Sequence, residues 1–231
     1  MEPLAREVSN GLFGQAGYPC ERPFLTTIAE DYGAGLQTVD FIGASEPARV
    51  GINRWVAERT RERIDELLPE GSIDEMTRLV LVNAIYFKGN WIVQFAPEQT
   101  RSEPFRRLDG SSVTVATMHG VGPFDYAEAD GWQAVRLPYW GGASMLIVAP
   151  QDGRFAEIEG QLGPAFLAGV RASLAAHQVT LAMPKWDFAS TIGMNETLQA
   201  LGVRDAFVPP PGDGSADFTA ITAEHVLYVS N

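Results

Sequence analysis

The side chains that could carry chemistry are few, and their spacing matches no common catalytic motif. A nucleophile elbow needs the pattern Gly-x-Ser-x-Gly, whereas the nearest stretch, 141–144, reads Gly-Gly-Ala-Ser. The sequence contains no phosphate-binding loop and no dinucleotide fingerprint. His119, His177 and His225 stand far apart, and none has a partner at the spacing of a metal site. The residues alone therefore disfavour an enzyme, and they predict no cofactor and no metal.

One amide and the lysines are the polar residues whose positions call for an explanation. Asn83 lies in the middle of the apolar run 79–87, and a buried amide without a partner costs about 1–3 kcal/mol. It therefore bonds either to a structural partner on a neighbouring strand or to a group that takes part in function. Lys88 and Lys185 are the only lysines among 17 basic residues. Genome composition explains this bias most simply, although a confined site can also require the compact ammonium of lysine.

Hydrophobic periodicity predicts the elements that must position these residues. The run 79–87 predicts a strand covered on both faces, because it is continuously apolar and contains β-branched residues. An apolar stripe at helical spacing over 52–68 predicts the clearest helix. Two glycines at 141 and 142 predict the turn of a hairpin over 133–149. The segregation of strands from helices favours the α+β class. Further strands are predicted at 6–15, 36–41 and 179–183, further helices at 23–31 and 195–201, and a loop at 208–214.

Composition and charge exclude several classes of partner. The 231 residues are 45% apolar and 20% charged, which is typical of a globular chain. A formal net charge of −12 opposes binding to nucleic acid or to anionic lipid. No apolar run reaches the roughly 18 residues that span a bilayer, and a single cysteine, Cys20, allows no internal disulfide. The sequence thus predicts neither a nucleic-acid partner nor a membrane partner.

A longer motif resembles a known family. Residues 81–91 read Leu-Val-Asn-Ala-Ile-Tyr-Phe-Lys-Gly-Asn-Trp. This stretch is similar to the most recognisable internal motif of the serpins, serine protease inhibitors that act by changing shape. Because other matches follow in the family's order over most of the chain, the sequence is identified as a member of the serpin family. These further matches lie at 53–56, 67–69, 137–139, 144–150, 183–185, 201–207 and 216–221.

The resemblance implies a fold and an activity. The expected fold is the α+β serpin fold, a large central sheet with further sheets and surrounding helices, and residues 1–231 form part of that single domain. Family members are inhibitors and not enzymes: a target serine protease, or a cysteine protease, cleaves an exposed loop and forms an acyl-enzyme. The cut loop then inserts into the main sheet and traps the protease. The resemblance also suggests an extracellular location. The alternatives are a non-inhibitory serpin and a truncated product without activity.

The resemblance further assigns a conformational switch to particular residues. Asn83 matches the amide at which the central sheet parts, whereas Gly89 and Trp91 match the point at which the loop first inserts. Lys88 belongs to the same motif, and Lys185 matches a lysine near that insertion point. The predicted helix at 52–68 corresponds to one that lies across the sheet and must yield during insertion.

By the same resemblance, the sequence covers the middle of a serpin. The opening helices are expected before Met1, and the hinge, the scissile bond and the last core strands are expected after Asn231. No reactive bond is therefore assigned, and the acidic partner expected for Lys185 also lies beyond Asn231. An incomplete sheet leaves strand edges and apolar faces exposed. We therefore expect the 231 residues alone to associate and to inhibit no protease.

Overall fold

The computed structural model describes residues 4–224 and 226–230, which divide into two compact units. The first unit is built from Arg6–Phe87 and from the described residues that follow Ala189. The second unit is built from Lys88–Ala189 together with Leu4 and Ala5. His225, considered above as a metal ligand, lies outside the described residues. That the chain belongs to a single serpin domain stays a prediction.

The first unit packs a long helix on a small sheet. Strands β1 (Ala5–Gln15), β2 (Leu36–Val39) and β3 (Leu79–Lys88) form a sheet in the order β2–β1–β3, in which β1 and β2 are parallel. Helix α1 (Arg22–Tyr32) precedes β2, and helix α2 (Phe41–Arg59) packs on the sheet. The buried side chains of this core are Phe13, Phe41, Ala48, Ile52, Val56, Ile73, Val82 and Ala84.

Helix α2 begins well before the start predicted at residue 52. The Asp40 carboxylate accepts the Gly43 N–H at 2.8 Å, as expected of an N-cap. The buried side chain of Gln15 accepts the Phe41 N–H at 2.7 Å. Because a strand residue distant in sequence completes the cap, the start of α2 depends on tertiary structure as well as on the local residues.

The helix also ends before residue 68, so the predicted span 52–68 is wrong at both ends. Arg61 and Glu62 have φ angles of +52° and +60°, which a right-handed helix does not contain. The chain then runs back along α2 without helical structure. Leu68 still packs against the same core as α2. In the sequence, Leu68 therefore continues the apolar pattern of the helix, although the helix itself ends before this residue.

Strand β3 is confirmed as a strand, but the prediction that both of its faces are covered is wrong. Val82 and Ala84 lie in the core beneath α2 and are 6% and 4% exposed. Leu81 and Ile85 lie on the opposite face and are 63% and 60% exposed. Successive side chains of a strand point to opposite faces, and the described residues leave this second face open to solvent. Strand β3 is also an edge strand of its sheet.

The second unit is an antiparallel sheet around one long strand. Its elements are β4 (Arg101–Arg106), β5 (Ser112–Ala129), β6 (Trp132–Pro138), β7 (Ser144–Pro150), α3 (Phe155–Gln161), α4 (Pro164–Ser173) and β8 (Ala175–Pro184). The first part of β5 pairs with β4, its middle with β8, and its last part with β6. Strand β7 extends the sheet beyond β6. Phe124, Val135, Leu137 and Met183 form the buried core.

Several predicted elements are confirmed. The hairpin over 133–149 consists of β6 and β7, and Gly141 and Gly142 at its turn have φ angles of +102° and +89°. Such positive angles suit glycine, which has no Cβ. The observed elements also include helix α5 (Asn195–Ala200), close to the helix predicted at 195–201. The chain combines helices with a sheet that is antiparallel throughout β4 to β8, which confirms the α+β class.

Candidate functional site

Asn83 is exposed on the open face of β3, so the prediction of a buried amide is wrong. The physical reason is the open face itself, which also leaves the neighbouring Leu81 and Ile85 exposed. The Nδ2 of Asn83 donates to Oδ1 of Asn10 on β1 at 2.7 Å. The Nδ2 of Asn10 donates in turn to the main-chain oxygen of Tyr32 at 2.8 Å. The two amides therefore form a chain of hydrogen bonds from β3 through β1 to the end of α1.

Gly89 and Trp91 are brought together on the ring of Tyr139. Trp91 stacks on Tyr139 with ring centroids 4.1 Å apart and 18° between the ring planes. A Cβ atom on Gly89 would lie 2.7 Å from Cδ1 of Tyr139, closer than real Cβ contacts. Only glycine therefore lets the backbone pass this close to the ring. Burial raises the pKa of the Tyr139 hydroxyl.

We expect Gly89→Ala to lower the free energy of unfolding by about 1–3 kcal/mol, because the added methyl group displaces Tyr139 from its stack on Trp91. Urea unfolding followed by tryptophan fluorescence measures the change. Gly35→Ala is the matched control, since open space surrounds that glycine. Equal midpoints for the two variants would show that Gly89 is not needed for this packing.

The lysines each lie at the end of a strand. Lys88 is the last residue of β3, and Lys185 follows β8 directly. Both are exposed. The main-chain N–H of Lys185 donates to the oxygen of Ala116 on β5 at 2.8 Å, but its ammonium forms no ion pair with any residue that the structure describes. The acidic partner of Lys185 stays a prediction.

His119 and His177, the two histidines that the structure describes, lie apart and form no metal site among the described residues. Nε2 of His119 lies 3.0 Å from Oε1 of Glu103 on the neighbouring strand β4. His177 is exposed and meets the ring of Tyr126 edge to face, with centroids 6.0 Å apart. Within residues 4–224 and 226–230, no three His, Cys, Asp or Glu side chains are grouped to hold a metal ion. No helix in the same ranges has the length and hydropathy of a membrane span.

Two buried polar residues of α2 hold the segment that follows the helix. The Arg49 guanidinium donates to the main-chain oxygen of Leu68 at 2.6 Å and to Oε1 of Glu66 at 3.1 Å. Asn53 donates to the same Leu68 oxygen at 2.8 Å and accepts the Leu68 N–H at 2.9 Å. These bonds attach residues 60–68 to the helix, so that the two lie on the sheet together.

Sequence reasoning missed residues that complete these arrangements. Asn10 gave a detectable signal, an amide within the predicted strand at 6–15, but nothing local pairs it with Asn83. Tyr139 lies next to the predicted hairpin turn, where an aromatic ring is unremarkable. Arg61 lies within the predicted helix at 52–68, where an exposed arginine carries no signal.

Comparison with known proteins gives one consistent result. The family model Serpin (serine protease inhibitor) matches residues 2–231. Antithrombin-III of Mus musculus is 38% identical over 87% of this chain and 44% of its own length. The leukocyte elastase inhibitor of Bos taurus is 36% identical over 99% of this chain and 62% of its own length. Emu (Dromaius novaehollandiae) ovalbumin superposes with a TM-score of 0.91 at 30% identity, covering 96% of this chain and 58% of that one. The chain thus spans about half the length of the curated relatives it matches.

Proposed function

Because this chain belongs to the serpin family, we propose that it forms the scaffold and conformational switch of an inhibitor that traps serine proteases. The relatives include a protein named as an inhibitor of an elastase. The observation that carries the proposal is the arrangement of β3, which pairs with β1 and is held to it by the bond from Asn83 to Asn10.

An inserted strand pairs along an existing strand, because strand addition is driven by main-chain hydrogen bonds. Strand β3 offers 10 residues, and a strand rises about 3.3 Å per residue. The cleaved loop of the inhibitor would therefore pair along β3 as a new neighbour. Asn83 supports this role by fixing β3 to β1. The pair β1–β3 therefore stays together, and the sheet opens on the other side of β3.

The residues that follow β3 suit the point of first insertion. The stack of Trp91 on Tyr139, with Gly89 beneath it, fixes the chain where β3 ends. Lys88 and Lys185 supply positive charge, which would attract the acidic hinge expected by resemblance. The extracellular location suggested by the same resemblance stays a prediction.

Asn83→Ala is expected to lower the free energy of unfolding by about 0.5–1.5 kcal/mol, the net value of one hydrogen bond. The loss is smaller than for a buried amide because water can replace the partner. A double-mutant cycle with Asn10→Ala measures the coupling between the two side chains. Purely additive losses would mean that the bond between Asn83 and Asn10 contributes no stability.

A second candidate function is that of a non-inhibitory serpin. Its support is the similarity to emu ovalbumin, which superposes with a TM-score of 0.91. Both candidates share the fold but differ in what happens after cleavage. Incubation of the longest protein that includes these residues with a serine protease distinguishes them: an inhibitor forms a complex stable in SDS, whereas a non-inhibitory member is merely cut.

A further inference from the structure

Arg61 stands where the chain leaves α2, and its side chain contacts both strands of the sheet beneath. Its Nη2 lies 2.5 Å from Oε1 of Glu7 on β1. Its guanidinium carbon lies 4.7 Å from the ring centre of Tyr86 on β3. Tyr86 lies on the same face of β3 as the buried Val82, because alternate residues of a strand share a face. Arg61 therefore spans β1 and β3 on the face that α2 covers.

The backbone at this turn is held in a conformation that its residues disfavour. Arg61 and Glu62 both have positive φ angles, and they are the only non-glycine residues with such angles in the described part of the chain. A left-handed conformation brings the Cβ of an L-residue too close to the backbone. Strain of this kind persists only where surrounding contacts maintain it. Those contacts are the Glu7 and Tyr86 interactions of Arg61 and the bond from the Glu62 N–H to Ala57 at 2.8 Å.

We propose that Arg61 is a positioning residue for the conformational change, a latch that holds the segment 60–68 on the β1–β3 pair against the strain of its own turn. The inference rests on the proposed function, in which the helix across the sheet must yield to an inserted strand. Opening the latch exchanges the Glu7 carboxylate for water and lets residues 61 and 62 return to negative φ. The strained turn therefore favours release once the side-chain contacts are lost.

The strength of the contacts suits a latch that opens reversibly. The side chains of Arg61 and Glu7 are 52% and 45% exposed, so water screens their attraction. By contrast, the Arg49 side chain, which attaches the same segment to α2, is only 10% exposed. The segment and the helix therefore stay together, and Arg61 is the weaker attachment that releases them from the strands.

Hydrogen exchange of the longest protein that includes these 231 residues tests the latch directly. The reporters are the N–H groups of Glu62 and Arg63, which donate to the main-chain oxygens of Ala57 at 2.8 Å and of Thr60 at 3.2 Å, because these bonds close the strained turn that opens with the latch. Arg61→Gln removes the ion pair and the ring contact, so exchange in the segment 60–68 should become about fivefold faster. Arg61→Lys keeps the charge and should restore most of the protection.

Glu62→Gly tests the strain independently of the latch. Glycine adopts positive φ without steric cost. This variant therefore removes the strain at residue 62 and keeps the side chain of Arg61 in place. Exchange in the segment 60–68 should become slower, by a factor similar to the one by which Arg61→Gln makes it faster. If Arg61→Gln failed to fold, Glu62→Gly and Arg61→Lys would still report on the turn.

Arg63→Gln is the matched control, because Arg63 is exposed and forms no ion pair with a described residue. Equal exchange in Arg61→Gln and Arg63→Gln would overturn the latch, as would faster exchange spread evenly over the chain. Exchange that does not slow in Glu62→Gly would overturn the role of strain. The experiment involves no protease, so failure of the latch and failure of the inhibitory function are seen separately.

Discussion

Phe41→Ala is expected to lower the free energy of unfolding by about 3–5 kcal/mol. Phe41 is fully buried in the first turn of α2, within the core that the helix shares with β1 and β3. Truncation leaves a cavity that the close-packed neighbours fill only in part. Guanidinium unfolding followed by circular dichroism gives the change directly.

Ile42→Ala is the control for this prediction. Ile42 is the next residue along the helix and is 55% exposed, so its truncation should cost less than about 0.5 kcal/mol. The pair of variants therefore compares one apolar truncation inside the core with one outside it. Equal losses would show that the first turn of α2 does not pack on the sheet through Phe41.

Leu81→Lys combined with Ile85→Lys is expected to convert the 231-residue chain from associated species to monomer. Both side chains lie on the open face of β3 and are more than half exposed. An apolar face beside an unpaired strand edge promotes association with another copy. Lysine opposes it, because each association would bury charge. Analytical ultracentrifugation over a range of concentrations measures the distribution.

The control for association places the same two changes elsewhere. Leu108 and Val121 are 77% and 62% exposed but lie outside β3, so Leu108→Lys with Val121→Lys adds equal charge without altering that strand. This variant should remain associated. A wild-type chain that is already monomeric, or equal monomer content in both double variants, would remove β3 as the associating surface.

Helix α2 shows how far local sequence determines this fold. The apolar stripe of 52–68 correctly identified a helix, and Asp40 provides a local signal for its start. The end of the helix carries no comparable signal, since Arg61 and Glu62 are ordinary helix-compatible residues. Their positive φ angles depend on contacts with β1 and β3, which lie far away in sequence.

Strand β3 shows the corresponding limit for the candidate site. The run 79–87 determined the strand, but its periodicity could not reveal that only one face is covered in these residues. Asn83 was identified because an amide interrupts an apolar run. Its partner Asn10 is 73 residues away, and only the alignment of β1 with β3 brings the two together. The same holds for Tyr139, which reaches Trp91 through the pairing of distant segments.

Trapping of a protease tests the central claim most directly. The longest protein that includes these 231 residues is incubated with a panel of serine and cysteine proteases, and the products are boiled in SDS and separated by electrophoresis. In parallel, titration of the protease active sites measures the enzyme that remains, and the 231-residue chain alone serves as the control that should trap nothing. We predict a covalent complex with the summed mass of inhibitor and protease and a matching loss of active sites. Cleavage of the protein by every protease of the panel, with all protease activity retained, would contradict the account.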